Sequence, residues 1–256
     1  MPTSPTPAPG STAGPVASVR RLVRATARAA DRTPPLAYAA AVAPVAVIMV
    51  AVVTQPWMPP TDLVRDSQAV AVLRGSAHTA HGLVSNLGIL ATAVGAGAAF
   101  IGAAAASARR HRLRRALAWG GVASLVVALD DLLLLHEGAT FASWMPKAIA
   151  AAYAVGFAAY LWRFRTPILR HLDVGLLILA LLGLGTSATV DVLAEPATVA
   201  SVLVEDGAKL LGLAAWSVFL VRGALVALRP PGAAASRSEG DRADATSRAR
   251  PITTGR

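Results

Sequence analysis

The sequence has no cysteine, few aromatic residues and little charge. Of its 256 residues, 5% are aromatic and 15% are charged, whereas 55% are hydrophobic. The absence of cysteine excludes disulfides and thiolate metal sites. The apolar share exceeds that of an ordinary soluble domain, so the composition predicts a membrane protein.

Lysine is also nearly absent. The formal net charge is +10, yet Lys147 and Lys209 are the only lysines, so almost all of the basic charge is arginine. An excess of basic residues is typical either of nucleic-acid binding or of orientation in a bilayer. The distribution of the arginines along the chain distinguishes the two.

Six apolar segments approach the roughly 20 residues that a helix needs to cross a membrane. They cover about 36–55, 82–107, 116–136, 147–163, 174–194 and 201–222. The sequence therefore predicts an all-α, multi-pass bundle of six spans in the cell (inner or plasma) membrane. Residues 34–229 would form this transmembrane domain, between a basic, disordered segment 1–33 and a disordered tail 230–256.

Arginine clusters alternate with the spans. They precede span one, fill 109–115 between spans two and three, and recur between spans four and five and after span six. Positive charge marks the cytoplasmic side, which predicts that both termini are cytoplasmic. Because the arginines are explained by orientation, we expect membrane lipid and not nucleic acid as the surroundings.

The first arginine cluster has a helical spacing. Its members are four residues apart and would share one helix face: Arg20, Arg24, Arg28 and Arg32. They would either contact anionic lipid headgroups as a surface helix or act only as an orientation signal. In the outer loop 56–81 we expect a short helix capped by Thr61.

The stretch "ALDDLLLLHEG", residues 128–138, places ionisable groups in an apolar run. Asp130 and Asp131 lie near the C-terminal end of span three, where the helix dipole and the membrane depth both make a negative charge costly. His136 and Glu137 follow at the outer boundary. Glu137, like Glu195 after span five, is expected to face water.

Other spans carry polar groups to the same outer level. They are His81, Ser85 and Asn86 at the start of span two, Asp191 near the end of span five, and Glu205, Asp206 and Lys209 at the start of span six. A lysine at this depth needs a carboxylate partner, and the spacing offers Glu205 one turn away or an aspartate of span three. We therefore predict a polar pocket open to the outer side.

Three functions fit this pocket. A metal-dependent hydrolase acting on a lipid or lipid-linked substrate would use zinc, and its candidate ligands are His81, Asp130, Asp131 and His136. Its catalytic groups would come from Asp130, Asp131, Glu205, Asp206 and Lys209, with Ser85, Asn86 and Asp191 as further pocket residues. A proton- or ion-coupled transporter or sensor would use the same groups as a relay. The third alternative is a purely structural polar network.

Two short stretches carry a resemblance. "VSNLGIL" (84–90) and "ALDDLLLLHE" (128–137) resemble the alkaline ceramidase superfamily of membrane hydrolases, in which an Asp and several His residues hold zinc. That resemblance implies a metal-site role for Asp130. The chain departs from the superfamily because it has six spans rather than seven and Glu205 and Lys209 where a His pair is expected. With "EDGAKLLG" (205–212) added, it also resembles an uncharacterised family of bacterial six-span proteins, which implies no activity.

Overall fold

The structure is a computed structural model that describes residues 15–134, 145–193 and 198–229. These ranges are mainly helical, as predicted, and contain no strand. The helices are α1 Pro15–Ala30, α2 Pro35–Thr54, α3 Pro60–Val64, α4 Ser67–Arg74, α5 Leu83–Ala105, α6 His111–Leu133, α7 Met145–His171, α8 Val174–Leu193 and α9 Val199–Leu228. The predicted tails 1–14 and 230–256 lie outside the described residues.

Local sequence explains several helix ends. α2 begins at Pro35, because a proline at the first helical position loses no intrahelical hydrogen bond. α6 ends where Leu134 adopts a left-handed conformation with φ 50° and its backbone N–H bonds the Asp130 carbonyl. α9 starts with a capping box, in which Thr198 and Ser201 satisfy each other's backbone N–H groups.

Five of the described helices are long and apolar enough to cross a membrane: α2, α5, α6, α8 and α9. The predicted fourth span falls on α7, which is not among them. Its 27 residues include Lys147, Arg163 and Arg165, and these charges lower its hydropathy. α7 nevertheless runs antiparallel to α6. Two contacts show this direction: the Tyr160 hydroxyl donates to the Ala116 carbonyl near the start of α6, and Tyr153 bonds Asp130 near its end.

α9 is the central helix of the bundle. It packs mainly against α8 and α5 and also against α2. Of its apolar stretch 61% is buried, compared with 22% for α2. The core therefore forms around α9, and the remaining helices present a larger apolar area to their surroundings.

Small residues permit the close crossings with α9. A Cβ added at Gly183 of α8 would lie 2.7 Å from the backbone nitrogen of Gly212, and one at Gly102 of α5 would lie 2.6 Å from the Ala224 Cα. Gly95 meets α9 in the same way. Gly97 and Gly185, by contrast, have open space beside them.

An aromatic cluster joins α7 to α9. The Trp216 ring lies 5.1 Å from that of Phe157 and 5.9 Å from that of Tyr160, measured between centroids. The indole N–H of Trp216 donates to Ser124 Oγ of α6 at 2.8 Å. This contact satisfies a buried polar group and ties three helices together.

Two segments outside the bundle refine the sequence expectations. α1 is a surface helix that contacts α7 and α8 and exposes the first three predicted arginines, but it ends at Ala30, so Arg32 lies in the following turn. The predicted single outer helix is two helices, α3 and α4, and Thr61 caps neither of them. Pro59 occupies the N-cap position of α3 because the helix starts two residues earlier than predicted.

Candidate functional site: a carboxylate cluster at one end of the bundle

The ionisable side chains meet where α6 ends and α5 and α9 begin. We call this the carboxylate end, defined by Asp66, Asp131 and Asp206. The opposite end, defined by Arg112, Arg115 and Arg163, is called the arginine end. Because neighbouring helices run antiparallel along the bundle, the end of one helix lies beside the start of another. Groups that are distant in the sequence therefore meet at one end of the bundle.

An ion pair between α6 and α9 is the centre of the site. Lys209 Nζ lies 3.0 Å from Asp131 Oδ1, and the side chains are 26% and 6% exposed. Of the two partners predicted for Lys209, the structure thus provides an aspartate of α6. The ammonium also offsets the cost of placing Asp131 in the last turn of a helix.

Asp130 is equally buried, with 4% of its surface exposed. It points toward α7, where the Tyr153 side chain hydrogen-bonds its carboxylate. Tyr153 was not predicted as a site residue, because a tyrosine in an apolar run gives no charge signal. The adjacent aspartates therefore have different partners on different helices.

Asp66 is a second group that the sequence prediction missed. It lies between α3 and α4 and accepts a hydrogen bond from the hydroxyl of Ser85 on α5. Its charge also acts on Lys209 and on Asp206. The outer segment thus contributes a carboxylate to a site that otherwise consists of membrane helices.

A second ion pair fixes this segment. The Arg74 guanidinium donates from Nε and Nη2 to the two carboxylate oxygens of Asp62, at 2.9 and 3.0 Å. The hydrogen bond and the charge of Asp62 raise the pKa of Arg74 above its ordinary value.

Gly82 donates its N–H to the Asp62 carbonyl. The φ of Gly82 is +67°, and a Cβ at this residue would lie 2.4 Å from the Ser67 nitrogen. Glycine is required at this turn.

A narrow crevice opens between these groups. Its polar lining is Ser85, Asp131, Asp206 and Lys209, and its apolar lining includes Val64, Val84, Gly88, Leu210 and Leu213. The cavity volume of about 10 Å³ is enough for about one water molecule. Glu205 is half-buried beside Asp206 and acts on it electrostatically.

Several predicted site residues lie elsewhere. His81 is buried but does not line the crevice, and its ring packs against His78 with centroids 5.6 Å apart. Asn86 and Asp191 are exposed. The predictions for His136, Glu137 and Glu195 fall outside the described residues.

The described residues do not form a zinc site among themselves. In these ranges no three His, Asp or Glu side chains are grouped so that they could hold a metal ion. The ammonium of Lys209 also occupies one carboxylate oxygen of Asp131. Zinc binding through His136 remains a prediction from the sequence.

The fold and the site define an all-helical protein, in which five described helices are long and apolar enough to cross a membrane and ionisable groups cluster at one end of the bundle. The chain belongs to the family described as "Domain of unknown function (DUF8692)", which matches residues 37–222. This match includes α2 to α8 and most of α9, so both ends of the bundle lie within it. No curated protein and no solved structure matches the chain.

Proposed function

We propose that the protein is a proton sensor of the membrane, in which the carboxylates around the Asp131–Lys209 pair take up the proton. The observation that carries this proposal is the excess of carboxylates around Lys209. Asp66, Asp131, Asp206 and Glu205 act on this cluster together with two cations, Lys209 and Arg65. A proton is the smallest cation that can neutralise the surplus charge.

The ammonium of Lys209 favours the ionised form of Asp131, so the proton would go to Asp206, the other aspartate that lines the crevice. Neutral Asp206 would no longer compete with Asp131 for the ammonium. Acidification would therefore hold the end of α6 and the start of α9 together more firmly. The crevice supports this proposal because one water molecule is enough to deliver a proton to Asp206.

We further propose six spans, with both termini in the cytoplasm and the carboxylate end facing outward. The clustering of arginines at the opposite end favours this orientation. α7 would be the span that raises the number from five to six, since it runs alongside α6 between the carboxylate end and the arginine end. The carboxylates within the described spans lie near the carboxylate end, which fits a one-sided sensor better than a pathway across the membrane.

The metal-dependent hydrolase remains a second prediction. It needs a ligand set that includes His136 and displaces Lys209 from Asp131. Stoichiometric zinc in the purified protein, lost in Asp131→Asn, would support the hydrolase over the sensor.

Infrared difference spectroscopy between about pH 8 and about pH 3 tests the sensor, since this interval includes the ordinary titration of a carboxyl group. We expect the purified protein in lipid nanodiscs to show a buried-carboxyl C=O band on acidification. That band should be absent in Asp206→Asn and shifted in Lys209→Met.

Asp191→Asn is the matched control, because Asp191 is an exposed aspartate on α8 that lacks a place in the crevice. Its spectrum should retain the band. If Asp206→Asn and Asp191→Asn give the same spectrum as the unmodified protein, the cluster is a structural network and not a sensor. Lys209-dependent acidification of proteoliposomes would instead indicate a transporter.

A further inference from the structure

We propose that a groove between α6 and α7 at the arginine end binds the phosphate of an anionic phospholipid. This basic groove has a volume of about 410 Å³. The residues that give it its character are His111, Arg112 and Arg115 at the start of α6 and Trp162, Arg163 and Arg165 near the end of α7. The site is separate from the carboxylate cluster and does not depend on the function proposed for it.

The charge of the basic groove is not balanced within the described part of the chain. In the described part of the chain, the arginines that form ion pairs are Arg74 and Arg222, and both lie outside the groove. Four guanidinium groups from two helices therefore face one opening. A guanidinium presents paired N–H donors that match the oxygens of a phosphate, so phosphate is the favoured anion.

The position of the basic groove matches the headgroup level of a bilayer. The Trp162 ring is 69% exposed beside it, and the Arg165 guanidinium lies 4.3 Å from the ring centroid. Exposed tryptophan is typical of the membrane–water interface. Basic pockets between membrane helices at this level suit anionic headgroups.

A second groove on the same α6–α7 seam distinguishes a lipid from free phosphate. This apolar groove lies nearer the middle of the helices, has a volume of about 300 Å³, and is lined by Val126, Ala152, Gly156 and Phe157, among others. A phospholipid whose phosphate occupies the basic groove can place an acyl chain in the apolar groove. Inorganic phosphate would use the first groove alone.

Thermal-shift titration of the full-length protein in detergent tests the proposal, with phosphatidylglycerol, phosphatidylcholine and inorganic phosphate as probes. Phosphatidylglycerol should stabilise the protein in a saturable way, because a ligand that binds only the folded state raises its melting temperature. In Arg112→Gln/Arg115→Gln its affinity should fall about tenfold or more. Inorganic phosphate and phosphatidylcholine should bind much more weakly.

The control is Arg109→Gln/Arg114→Gln, which makes the same charge change in the same segment with exposed arginines that do not line the groove. It should retain the affinity for phosphatidylglycerol. Because the arginines also set orientation, Arg112→Lys/Arg115→Lys keeps the charge and removes only the paired donors. We expect an intermediate affinity from that variant.

Gly156→Leu tests the acyl-chain arm without changing charge. A Cβ at Gly156 meets open space, as does one at Gly97 on α5, so Gly97→Leu is the matched control. Filling the apolar groove should weaken phosphatidylglycerol binding, and Gly97→Leu should not. Equal losses of phosphatidylglycerol affinity in Arg112→Gln/Arg115→Gln and in Arg109→Gln/Arg114→Gln would overturn the proposal. Binding of inorganic phosphate as tight as that of the lipid would overturn the lipid as ligand.

Discussion

At the residue scale, the carboxylate cluster depends on the contact between Lys209 and Asp131. Their separation is 3.0 Å, and Asp131 is almost fully buried, whereas about a quarter of the Lys209 side chain is exposed. Removing Asp131 takes the contacting carboxylate from Lys209 and leaves its ammonium to the weaker attraction of Asp206 and Asp66. The exposed part of Lys209 lessens this penalty because water solvates it.

We expect Asp131→Asn to lower the free energy of unfolding by about 2 kcal/mol, below the usual cost for a fully buried pair because Lys209 is partly exposed. Lys209→Met should cost more than Asp131→Asn, because it removes the ammonium that Asp131, Asp206 and Asp66 share. Denaturant or thermal unfolding in detergent measures both values. A single variant as stable as the unmodified protein would contradict the pairing.

At the scale of elements, the crossing of α8 and α9 depends on a glycine on each helix. Gly183 and Gly212 bring the two backbones into direct contact, which a side chain at either position would prevent. Two residues further along α8, Gly185 faces open space. The same residue type therefore has different roles within one helix.

Gly183→Ala should lower the free energy of unfolding by about 1–3 kcal/mol, because its Cβ would overlap the backbone of α9. Gly185→Ala is the matched control in the same helix. It should be neutral or stabilise the protein by up to about 1 kcal/mol, since alanine is the better helix former. Melting curves that rank the two variants in the opposite order would refute this crossing.

At the scale of the whole molecule, α7 decides how many times the chain crosses the membrane. Asp131 pairs with Lys209 near the start of α9, and Asp173 pairs with Arg222 near its end. These levels are about 20 Å apart along the helix. The chain between Asp131 and Asp173 must cover that distance, and α7 covers it despite its lower hydropathy.

Cysteine labelling tests six crossings directly, because the natural chain has no cysteine and each introduced one is unique. We expect Ser76→Cys and Ala139→Cys to react with an impermeant maleimide on intact cells. Ala108→Cys and Thr166→Cys should react only after permeabilisation. Labelling of Thr166→Cys from outside would show that α7 does not cross.

The outcome for Lys209 shows where sequence reasoning about the site succeeds and where it stops. Depth in an apolar helix required a carboxylate partner, and the candidates could be named from spacing alone. The choice between Glu205 and an aspartate of α6 depended on how α6 and α9 pack. Asp66 and Tyr153 were not predicted, because their role depends on which groups a loop and a neighbouring helix bring close.

The sequence by itself determined the helical class, the apolar segments and the positions of the charged residues along them. These properties follow from composition and from the 3.6-residue period, which act locally. Only the tertiary structure decided which charges pair, which glycines lie at crossings and that α7 runs the length of the bundle. Those properties depend on the approach of helices that are distant in the chain, and local sequence does not specify that approach.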